Sequence, residues 1–521
     1  MRSGHHIKIV GILLAAGIIG IMGFKFLWPM VEEFQQRDTS DARTTKGKIT
    51  IGYDNWIGYF PLCSNEMRKR MRQTGYNLIC EDDHADYDGR MKKLSKGKLQ
   101  FAVATVDSYL LNAEPYRFPG TIVAVIDESK GGDAIVANEE LATSIDDLKL
   151  ASNYKIAFTP GSPSEHLIKT VAVHFDIPSL KRTGGATQVH TDGSTDALDK
   201  LLSGEVQVAV LWEPDVSKAL KQKRFKKLLG TEDTNKLIVD ILIVNREFSR
   251  DNSEAVQTLL QQYFRTLKFY KDNPDQLHGD AAAKSDVNKK QVATMLKGVQ
   301  WVNLIDNNQI WFGAAATSAG NSEWLIDSLE GASQILVDHG DFSSDPIPDH
   351  DPYRLTNSQF IHRIYRLGVS QFGVSATPQA AAAQQRAFAA LGNREWEKLR
   401  EVGTLKIRPI VFQSGAGSLT IDGKEQLDKA AENLSHYPNY RILVKGHTGL
   451  RGDSAANRTL SQERAESVTR YLAITHQIGD NRMRAVGWGS SLPLAKNQGE
   501  SDRSYNYRLP RVELALVAED I

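Results

Sequence analysis

The feature that most constrains this chain is an apolar run at its start, residues 9–31, which contains a single charge, Lys25, and meets no carboxylate before Glu32. A helix rises about 1.5 Å per residue, so a run of this length covers the roughly 30 Å hydrocarbon layer of a bilayer. Arg2 and Lys8 precede the run, and a cationic flank favours the cytoplasmic side. We therefore predict an uncleaved single-pass anchor in the inner membrane, with the rest of the chain in the periplasm.

A cleaved signal peptide and a buried helix are the two alternatives to an anchor. A signal peptide shares the apolar pattern, although Phe24, Phe26 and Trp28 stand where a small-x-small cleavage site would be expected. The polar, linker-like residues 39–48 that follow the run argue against a buried helix of a soluble domain.

Length and composition limit the number of domains and the kinds of partner that the rest of the chain can have. The chain has 521 residues, more than one hydrophobic core usually supports, so we expect two or three domains. Lysine plus arginine and aspartate plus glutamate both number 63, and this zero net charge argues against a nucleic-acid partner. The only two cysteines, Cys63 and Cys80, are expected to form a disulfide in an oxidising periplasm, the alternative being two buried thiols.

From residue 48 onward, short β-rich runs alternate with helical spacing, which is typical of parallel sheets covered by helices. The strand-like runs are residues 49–53, 77–80, 101–105, 121–126, 155–158, 206–211 and 237–244. The helical patterns are residues 65–73, 88–94, 196–202 and 255–270. This alternation predicts an α/β fold.

Polar and aromatic residues recur directly after the predicted strands. Ligands of such sheets bind beyond the carboxyl ends of the strands, so these positions are the candidate site. The predicted ligand-binding residues are Asp54, Asn55, Trp56, Ser108, Asp127, Ser129, Asp133, Thr159, Ser162, Ser164, Glu165, Trp212 and Glu213.

Five segments occur in an order seen in one family: residues 52–58 (GYDNWIG), 127–133 (DESKGGD), 145–148 (IDDL), 159–165 (TPGSPSE) and 211–214 (LWEP). They resemble the periplasmic substrate-binding proteins of nitrate, taurine and thiamine-precursor ABC transporters. The resemblance covers roughly residues 47–367. It implies the type II periplasmic-binding fold, in which two α/β lobes joined by a hinge close on a small molecule.

Several candidates have a structural explanation beside the functional one. Ser162 fits a helix N-cap, with Pro163 at the first helical position and Glu165 closing a capping box. The same helix end can hold an anionic ligand group through free amides, whereas Glu165 facing the ligand would favour a cationic one. Trp56 and Trp212 either stack on a ligand or fill the core between the lobes.

No catalytic machinery is recognisable. His166 follows Ser162 and Ser164, but no Gly-x-Ser-x-Gly elbow is present, so we expect a protein that is not an enzyme. The acidic segment 81–88 lacks the spacing and glycine of a calcium loop, and we interpret it as a solvated loop in which Asp88 caps a helix. We expect no cofactor and no bound metal.

The C-terminal part carries a second set of motifs after an Ala/Gln-rich stretch: residues 444–448 (VKGHT), Asn457, residues 460–465 (LSQERA), 487–489 (GWG) and 511–513 (RVE). Their order and spacing resemble the OmpA-like peptidoglycan-binding domain over roughly residues 403–518. The expected elements are strands at 405–412, 440–445 and 511–517 with helices at 424–434 and 461–472. This is an α+β (βαβαβ) arrangement.

In that family, an aspartate after the His-Thr pair and the arginine of the Leu-Ser-x-x-Arg motif hold diaminopimelate of the wall peptides. Arg464 matches the arginine, and a guanidinium suits a carboxylate. The aspartate position is Gly449, so the resemblance implies a peptidoglycan site of Thr448, Gly449, Asn457 and Arg464 with weakened binding or a different partner. The alternative is that Arg464 only pairs along its helix with neighbouring glutamates.

These predictions divide the chain into a membrane anchor and linker (1–46), a substrate-binding-like domain (47–371), an Ala/Gln-rich linker (372–402) and an OmpA-like domain (403–521). We interpret it as a membrane-anchored periplasmic solute binder or sensor attached to peptidoglycan, with an ABC permease or envelope proteins as possible further partners. The competing hypothesis is an envelope scaffold whose α/β domain binds a protein. An ion-driven motor stator would need a carboxylate in the membrane run, and none is present.

Overall fold

The computed structural model describes residues 45–151, 154–181, 187–284, 287–313, 323–368, 388–413 and 415–519. The predicted anchor, residues 9–31, lies outside these ranges, as does most of the predicted linker. In the ranges described, no helix combines the length and the apolar character that crossing a bilayer requires.

The first lobe opens with alternating strands and helices: β1 (Gly47–Tyr53), α1 (Asn65–Gln73), β2 (Tyr76–Asp82), α2 (Tyr87–Ser95), β3 (Phe101–Thr105), α3 (Val106–Ala113) and β4 (Gly120–Ser129). Strand β1 pairs in parallel with both β2 and β3. Every residue of β3 and β4 is buried, which explains why residues 101–104 and 122–126 are continuous apolar runs rather than alternating ones.

The second lobe follows a single crossing of the chain: β5 (Asp133–Asn138), α4 (Asp147–Leu150), β6 (Lys155–Phe158), α5 (Pro163–His174), β7 (Thr187–His190), α6 (Ser194–Ser203), β8 (Val208–Trp212), α7 (Asp215–Leu220) and β9 (Phe225–Gly230). Its sheet has the order β7-β6-β8-β5-β9. Helix α6 ends at Gly204, whose φ of 80° is the left-handed conformation that a helix C-terminus favours.

The chain then returns to the first lobe through β10 (Val239–Asn245), α8 (Arg246–Asp251), α9 (Ser253–Asp272), α10 (Pro274–Lys284), α11 (Lys289–Met295), β11 (Val299–Trp301), α12 (Leu304–Asp306), α13 (Trp324–His339) and α14 (Gln359–Arg366). The sheet of this lobe has the order β11-β4-β10-β3-β1-β2. Strand β10 is antiparallel to β3 and β4, and β5 is antiparallel to β8 and β9. The sheets predicted to be parallel are therefore mixed, because strands next to the two crossings run against their neighbours.

The C-terminal domain contains α15 (Asn393–Trp396), β12 (Arg400–Leu405), α16 (Ile421–Ser435), β13 (Arg441–His447), α17 (Ser454–His476), β14 (Met483–Gly489), α18 (Asp502–Arg508) and β15 (Arg511–Ala518). Its four strands have the order β12-β15-β13-β14. The strand predicted at 405–412 instead ends at Leu405, and β14 is a strand that the predicted βαβαβ pattern lacks. Within the predicted strand, Phe412 forms an isolated antiparallel bridge with Leu419.

Short 3-10 helices connect these elements at Ile57–Cys63, Glu114–Tyr116, Pro178–Leu180, Thr231–Asp233, Leu296–Gly298, Pro348–His350, Pro352–Leu355 and Asp480–Arg482, and a π-helical turn spans Asn307–Trp311. Cys63 and Cys80 form a disulfide with a Cα–Cα distance of 6.0 Å, which joins the first 3-10 helix to β2. The acidic loop before α2 caps that helix through Asp86, not Asp88, because the Asp86 carboxylate accepts from the Gly89 N–H.

The C-terminal domain packs directly on the second lobe. One continuous cluster of buried side chains contains Ile145 and Phe175 of the lobe together with Val402 and Tyr437 of the domain. A Cβ on Gly403 would lie 2.7 Å from the Phe175 ring, so only glycine allows β12 to approach this closely. The two units are separated in sequence but share a core.

Candidate functional site

A cavity lies between the two lobes, where the chain crosses from one to the other. Its lining combines aromatic and acidic side chains: Asp54, Trp56, Tyr59, Ala85, Tyr87, Asp133, Pro163, Trp212, Ile238 and Asp240. The cavity volume is about 30 Å³, which is room for one or two water molecules. A solute can therefore enter only when the lobes separate.

Four of the thirteen predicted ligand-binding residues line this cavity: Asp54, Trp56, Asp133 and Trp212. They come from different parts of the chain. Asp54 and Trp56 follow β1, Asp133 opens β5, and Trp212 ends β8 as the antiparallel partner of Asp133. The prediction that ligand-binding residues follow strand ends therefore identified at least one lining residue on each lobe.

Two carboxylates face each other on neighbouring strands beside the cavity. Asp240 of β10 is paired in register with Asp127 of β4, and both are almost completely buried. The Tyr59 hydroxyl donates to Asp240, and the Trp56 indole N–H donates to Asp127 Oδ1 at 3.2 Å. Burial, followed by the repulsion between the two groups, raises the pKa of Asp240, and burial likewise raises the pKa of Asp127.

Asp133 is the third buried acid, with 4 % of its surface exposed. The Ser129 hydroxyl donates to Asp133 Oδ2 at 2.6 Å. Burial raises the pKa of Asp133 to about 7, against the effect of that hydrogen bond, and the charges of Asp107 and Glu213 raise it further. Ser129, another predicted residue, thus acts on the cavity through Asp133 rather than by lining it.

Asp54 differs from the other acids because its charge is compensated. The fully buried guanidinium of Arg90 lies 3.0 Å from Asp54 Oδ2 and 2.6 Å from Asp83 Oδ1. Arg90 also donates to the carbonyl oxygen of Val103. This network fixes the loop after β1 and leaves Asp54 with a partner inside the protein.

The lobes touch beside the cavity through α3 and α5. Ser108 Oγ donates to the Gly161 carbonyl oxygen at 2.8 Å, and His166 Nδ1 lies 3.9 Å from Asp107 Oδ2. Burial lowers the pKa of His166, which keeps the ring neutral at pH 7. Ser108 is therefore a contact between the lobes rather than a lining residue.

The start of α5 has the predicted N-cap but a different reciprocal bond. Ser162 caps the helix and accepts from the Ser164 N–H at 3.2 Å, with Pro163 at the first position. Glu165 Oε2 accepts from the Gly161 N–H, one residue before the cap, and Oε1 pairs with Lys169 at 3.0 Å. The predicted capping box is thus wrong in its second bond, and Glu165 does not line the cavity.

The other predicted residues also lie outside the lining. Thr159 Oγ1 is 3.5 Å from Thr191 Oγ1, Asn55 is exposed, and Glu213 caps α7 by accepting from the Ser217 N–H and hydroxyl. The Ser164 hydroxyl is buried without a hydrogen-bond partner among the described residues. These are structural roles that spacing alone did not distinguish from ligand contacts.

Sequence reasoning missed five lining residues besides Pro163: Tyr59, Ala85, Tyr87, Ile238 and Asp240. A signal for Asp240 was present, since it is the only charged residue in the apolar run 237–244. A lone charge in a buried strand is costly unless it has a function or a partner. No comparable signal marks Tyr59 or Tyr87.

The predicted peptidoglycan residues lie on the turn after β13 and on α17. Arg464 is half-buried, donates to the Ala416 carbonyl oxygen at 3.3 Å and lies over the Phe412 ring at 5.1 Å. No carboxylate lies within ion-pair distance of its guanidinium in the described part of the chain, and the pairing with Glu463 or Glu466 is not observed. Burial lowers the pKa of Arg464.

The other three predicted peptidoglycan positions, Thr448, Gly449 and Asn457, carry no acidic side chain. Thr448 is buried and bonded through its backbone N–H to the Gly489 carbonyl oxygen, and Asn457 donates to the Arg451 carbonyl oxygen. A Cβ on Gly449 would meet no atom within 4 Å, so this position has room for a side chain. Asp453 caps α17 by accepting from the Ala456 N–H.

Solved structures similar to the N-terminal part include two periplasmic binding proteins. The aliphatic sulphonate binding protein SsuA from Escherichia coli is 16% identical with a TM-score of 0.46, over 59% of this chain and 98% of that one. The nitrate-binding protein NrtA from Synechocystis is 10% identical with a TM-score of 0.47, over 63% of this chain and 91% of that one.

Residues 411–507 match the OmpA family. A peptidoglycan-associated lipoprotein from Rhizobium meliloti is 34% identical over 99 residues, which is 19% of this chain and 56% of that protein. The corresponding lipoprotein of Brucella melitensis is 32% identical over 99 residues, 19% of this chain and 58% of that protein. The chain thus spans little more than half the length of these relatives. The match identifies residues 411–507, in the part of the chain that forms the four-stranded sheet, as an OmpA domain.

Proposed function

We propose that this protein is a non-enzymatic solute binder of the cell envelope, held at peptidoglycan by its OmpA domain and at the inner membrane by residues 9–31. The observation that carries the proposal is the cavity between two α/β lobes, whose lining is contributed by both lobes and by the return crossing. Lobes joined by two crossings can close on a ligand by rotating at those crossings.

Wall attachment is supported by the family match and by Arg464. Its guanidinium contacts the Ala416 carbonyl oxygen and the Phe412 ring, and no carboxylate lies beside it among the described residues. Its N–H groups can therefore donate to a carboxylate of a wall peptide. Because position 449 is glycine, the diaminopimelate of that peptide lacks the contact with the family's aspartate. The expected outcome is binding that is weaker than in the relatives.

The solute-binding half is tested with the full chain, purified in detergent, by thermal unfolding in the presence of sulfonates, nitrate, polyamines, phosphonates and pyrimidines. Trp212→Ala is the cavity variant, and Trp396→Ala, in the OmpA domain, is the matched control. A ligand-dependent rise in melting temperature that Trp212→Ala abolishes supports binding. No shift with any compound, together with envelope proteins captured equally by wild type and Trp212→Ala, favours the scaffold hypothesis.

The wall-binding half is tested by co-sedimentation with purified sacculi. Arg464→Ala is expected to reduce the sedimented fraction, and Arg470→Ala, an exposed arginine on the same helix, is expected to leave it unchanged. Equal sedimentation of wild type and Arg464→Ala would contradict this site.

A further inference from the structure

The charge of the cavity distinguishes between classes of solute. Its lining contains three carboxylates, Asp54, Asp133 and Asp240, and none of the lining residues is lysine or arginine in the part of the chain described. Asp54 already pairs with Arg90. Two carboxylates therefore face the cavity without a cationic partner, with Asp127 directly behind them.

Buried oxygens around the cavity also lack partners. Asp107 Oδ1 and Asp127 Oδ2 have no hydrogen-bond partner among the described residues, although Asp107 is 4 % exposed and Asp127 is 0 % exposed. Asp127 Oδ1 is already bonded to the Trp56 indole that lines the cavity. Buried polar groups in native proteins are nearly always paired, so these acceptors indicate missing donors. For Asp127 the donor is either a ligand or the proton that it shares with Asp240.

The aromatic lining fits a cation as well. Trp56 and Trp212 come from opposite lobes, and the Tyr59 hydroxyl, also in the lining, donates to Asp240. Indole faces attract ammonium and guanidinium groups, most strongly when these are removed from water. An anion in this space would meet buried carboxyl groups and no lysine or arginine among the lining residues, which is costly.

We propose that the cavity binds an organic cation, an ammonium or amidinium compound, with Asp133 and Asp240 as its counter-charges and Trp56 and Trp212 against its faces. This assignment rests on the proposed function, since it names the class of solute that the lobes take.

Isothermal titration calorimetry on the full chain in detergent at pH 8 tests the assignment. The cations are choline, putrescine and agmatine, the anions are nitrate and methanesulfonate, and 3,3-dimethylbutan-1-ol is the neutral isostere of choline. At least one cation is expected to bind at least tenfold more tightly than both anions, and choline more tightly than its isostere. Asp133→Asn is expected to weaken that cation at least tenfold, while Asp196→Asn, an acid on the same lobe that pairs with Lys200, has no effect.

The possible failures are distinct. An anion that binds more tightly than every cation overturns the charge assignment and leaves solute binding intact. Cation affinity that survives Asp133→Asn overturns the assigned counter-charge. Absence of binding in both charge classes, with the chain folded by circular dichroism, overturns the assignment together with the proposed solute binding.

A separate observation concerns the OmpA domain and the return crossing, residues 231–238, between β9 and β10. Asn439 donates to the Glu232 carbonyl oxygen at 2.9 Å, and the Asn235 N–H donates to the His436 carbonyl oxygen at 2.8 Å. His436 Nδ1 lies 3.1 Å from the Asn235 carbonyl oxygen, and because that oxygen can only accept, Nδ1 is the donor. The domain thus binds the backbone at which the lobes must rotate.

The same crossing is connected to the cavity. Thr231 Oγ1 lies 2.8 Å from Ser129 Oγ, which donates to Asp133. The Lys130 ammonium of the first crossing donates to the Thr234 carbonyl oxygen of the second. A continuous series of hydrogen bonds therefore joins Asp133 to the segment that the OmpA domain holds.

The OmpA domain also contacts the second lobe and the first. The Ile145 N–H donates to the Val402 carbonyl oxygen at 2.9 Å, and the Lys406 N–H donates to the His174 carbonyl oxygen at 2.6 Å. A Cβ on Gly331 of α13 would lie 3.7 Å from the His436 ring. Rotation of the lobes therefore changes contacts of this domain.

We infer that the OmpA domain holds the crossing and couples the opening of the lobes to occupation of its wall site. By linkage, a wall peptide that alters the fit of the domain on the crossing alters the opening equilibrium, and solute alters wall affinity by the same factor.

Distance measurement by pulsed electron spin resonance tests the coupling on the full chain, with spin labels at the exposed positions Glu114→Cys and Glu140→Cys on the two lobes. The native cysteines form a disulfide, so labelling is selective. The double variant His436→Ala, Asn439→Ala is expected to broaden the interlobe distance distribution toward longer values. Lys406→Ala, which loses only an ion pair with Asp176 at the same interface, is expected to leave it unchanged.

Purified sacculi are then expected to change the distribution of the wild type and not that of the double variant. An unchanged distribution in the folded double variant, or the same response to sacculi in both proteins, overturns the coupling. If the wild type does not co-sediment with the sacculi in the same samples, the proposed wall attachment fails instead.

Discussion

The buried carboxylate of Asp133 gives a sharp prediction for stability. Its pKa is raised from 3.8 to about 7 by burial and by the charges of Asp107 and Glu213, while Asp127 and Asp240 also face it. In the unfolded chain the group ionises near its ordinary pKa. Folding therefore retains a proton that the unfolded chain has lost, and stability falls as pH rises from about 4 to about 7.

The size of the effect follows from the shift. About 3 pKa units at 1.36 kcal/mol per unit correspond to about 4 kcal/mol of stability lost above pH 7. Asparagine resembles the protonated acid in shape and charge, and its amide oxygen can still accept the Ser129 hydrogen bond. Asp133→Asn is therefore expected to match the wild type near pH 4 and to exceed it by up to about 4 kcal/mol at pH 8.

Urea unfolding of the full chain at pH 4 and pH 8, followed by tryptophan fluorescence, measures this difference. Asp196→Asn, with its carboxylate 42 % exposed, is the control and is expected to show no such dependence on pH. The reasoning is refuted if Asp133→Asn is no more stable than the wild type at pH 8, or if it is destabilised equally at both pH values.

Three further outcomes are expected. In Gly449→Asp the new side chain has room, and it restores the family's charge-assisted contact. Affinity for sacculi in co-sedimentation is therefore expected to rise about tenfold or more. Unchanged affinity would mean that the wall site does not use this position. The double variant Cys63→Ser, Cys80→Ser lacks the disulfide that closes a short loop with a sequence separation of 17, and its free energy of unfolding in urea is expected to be about 3 kcal/mol lower. An unchanged midpoint would contradict the stabilising role of the disulfide. Arg90→Met leaves Asp54 and Asp83 buried without their cation and is expected to cost about 3–5 kcal/mol, with exposed Arg224→Met as the control; equal midpoints would refute the network.

Local pattern was sufficient for most elements of the fold. Residues 101–105 and 155–158 match β3 and β6, and residues 65–73 match α1, because apolar periodicity and capping residues act within a few positions of the chain. The N-cap at Ser162 is correct for the same reason. Strand β14 was missed because two glycines and an arginine interrupt the apolar residues of Met483–Gly489, and pairing with β13 makes it a strand.

The candidate site was partly predictable. The rule for strand ends identified Asp54, Trp56, Asp133 and Trp212, but it also selected Glu165 and Glu213, which cap or pair locally. Whether a polar side chain at a strand end faces the cavity depends on its rotamer and on competing donors nearby. The spacing of residues in the sequence gives no information on either the rotamer or the competing donors.

The sequence by itself determined the class of each part: the alternation of β and α patterns, the OmpA motifs at the C-terminal end and the pair of cysteines all follow from short-range order. Only the tertiary structure decided that Asp240 from one strand faces Asp127 from another, and that the OmpA domain packs against the second lobe and the return crossing. These contacts join residues separated by about a hundred positions or more, and their energies come from burial and hydrogen bonds that exist only once the lobes have assembled.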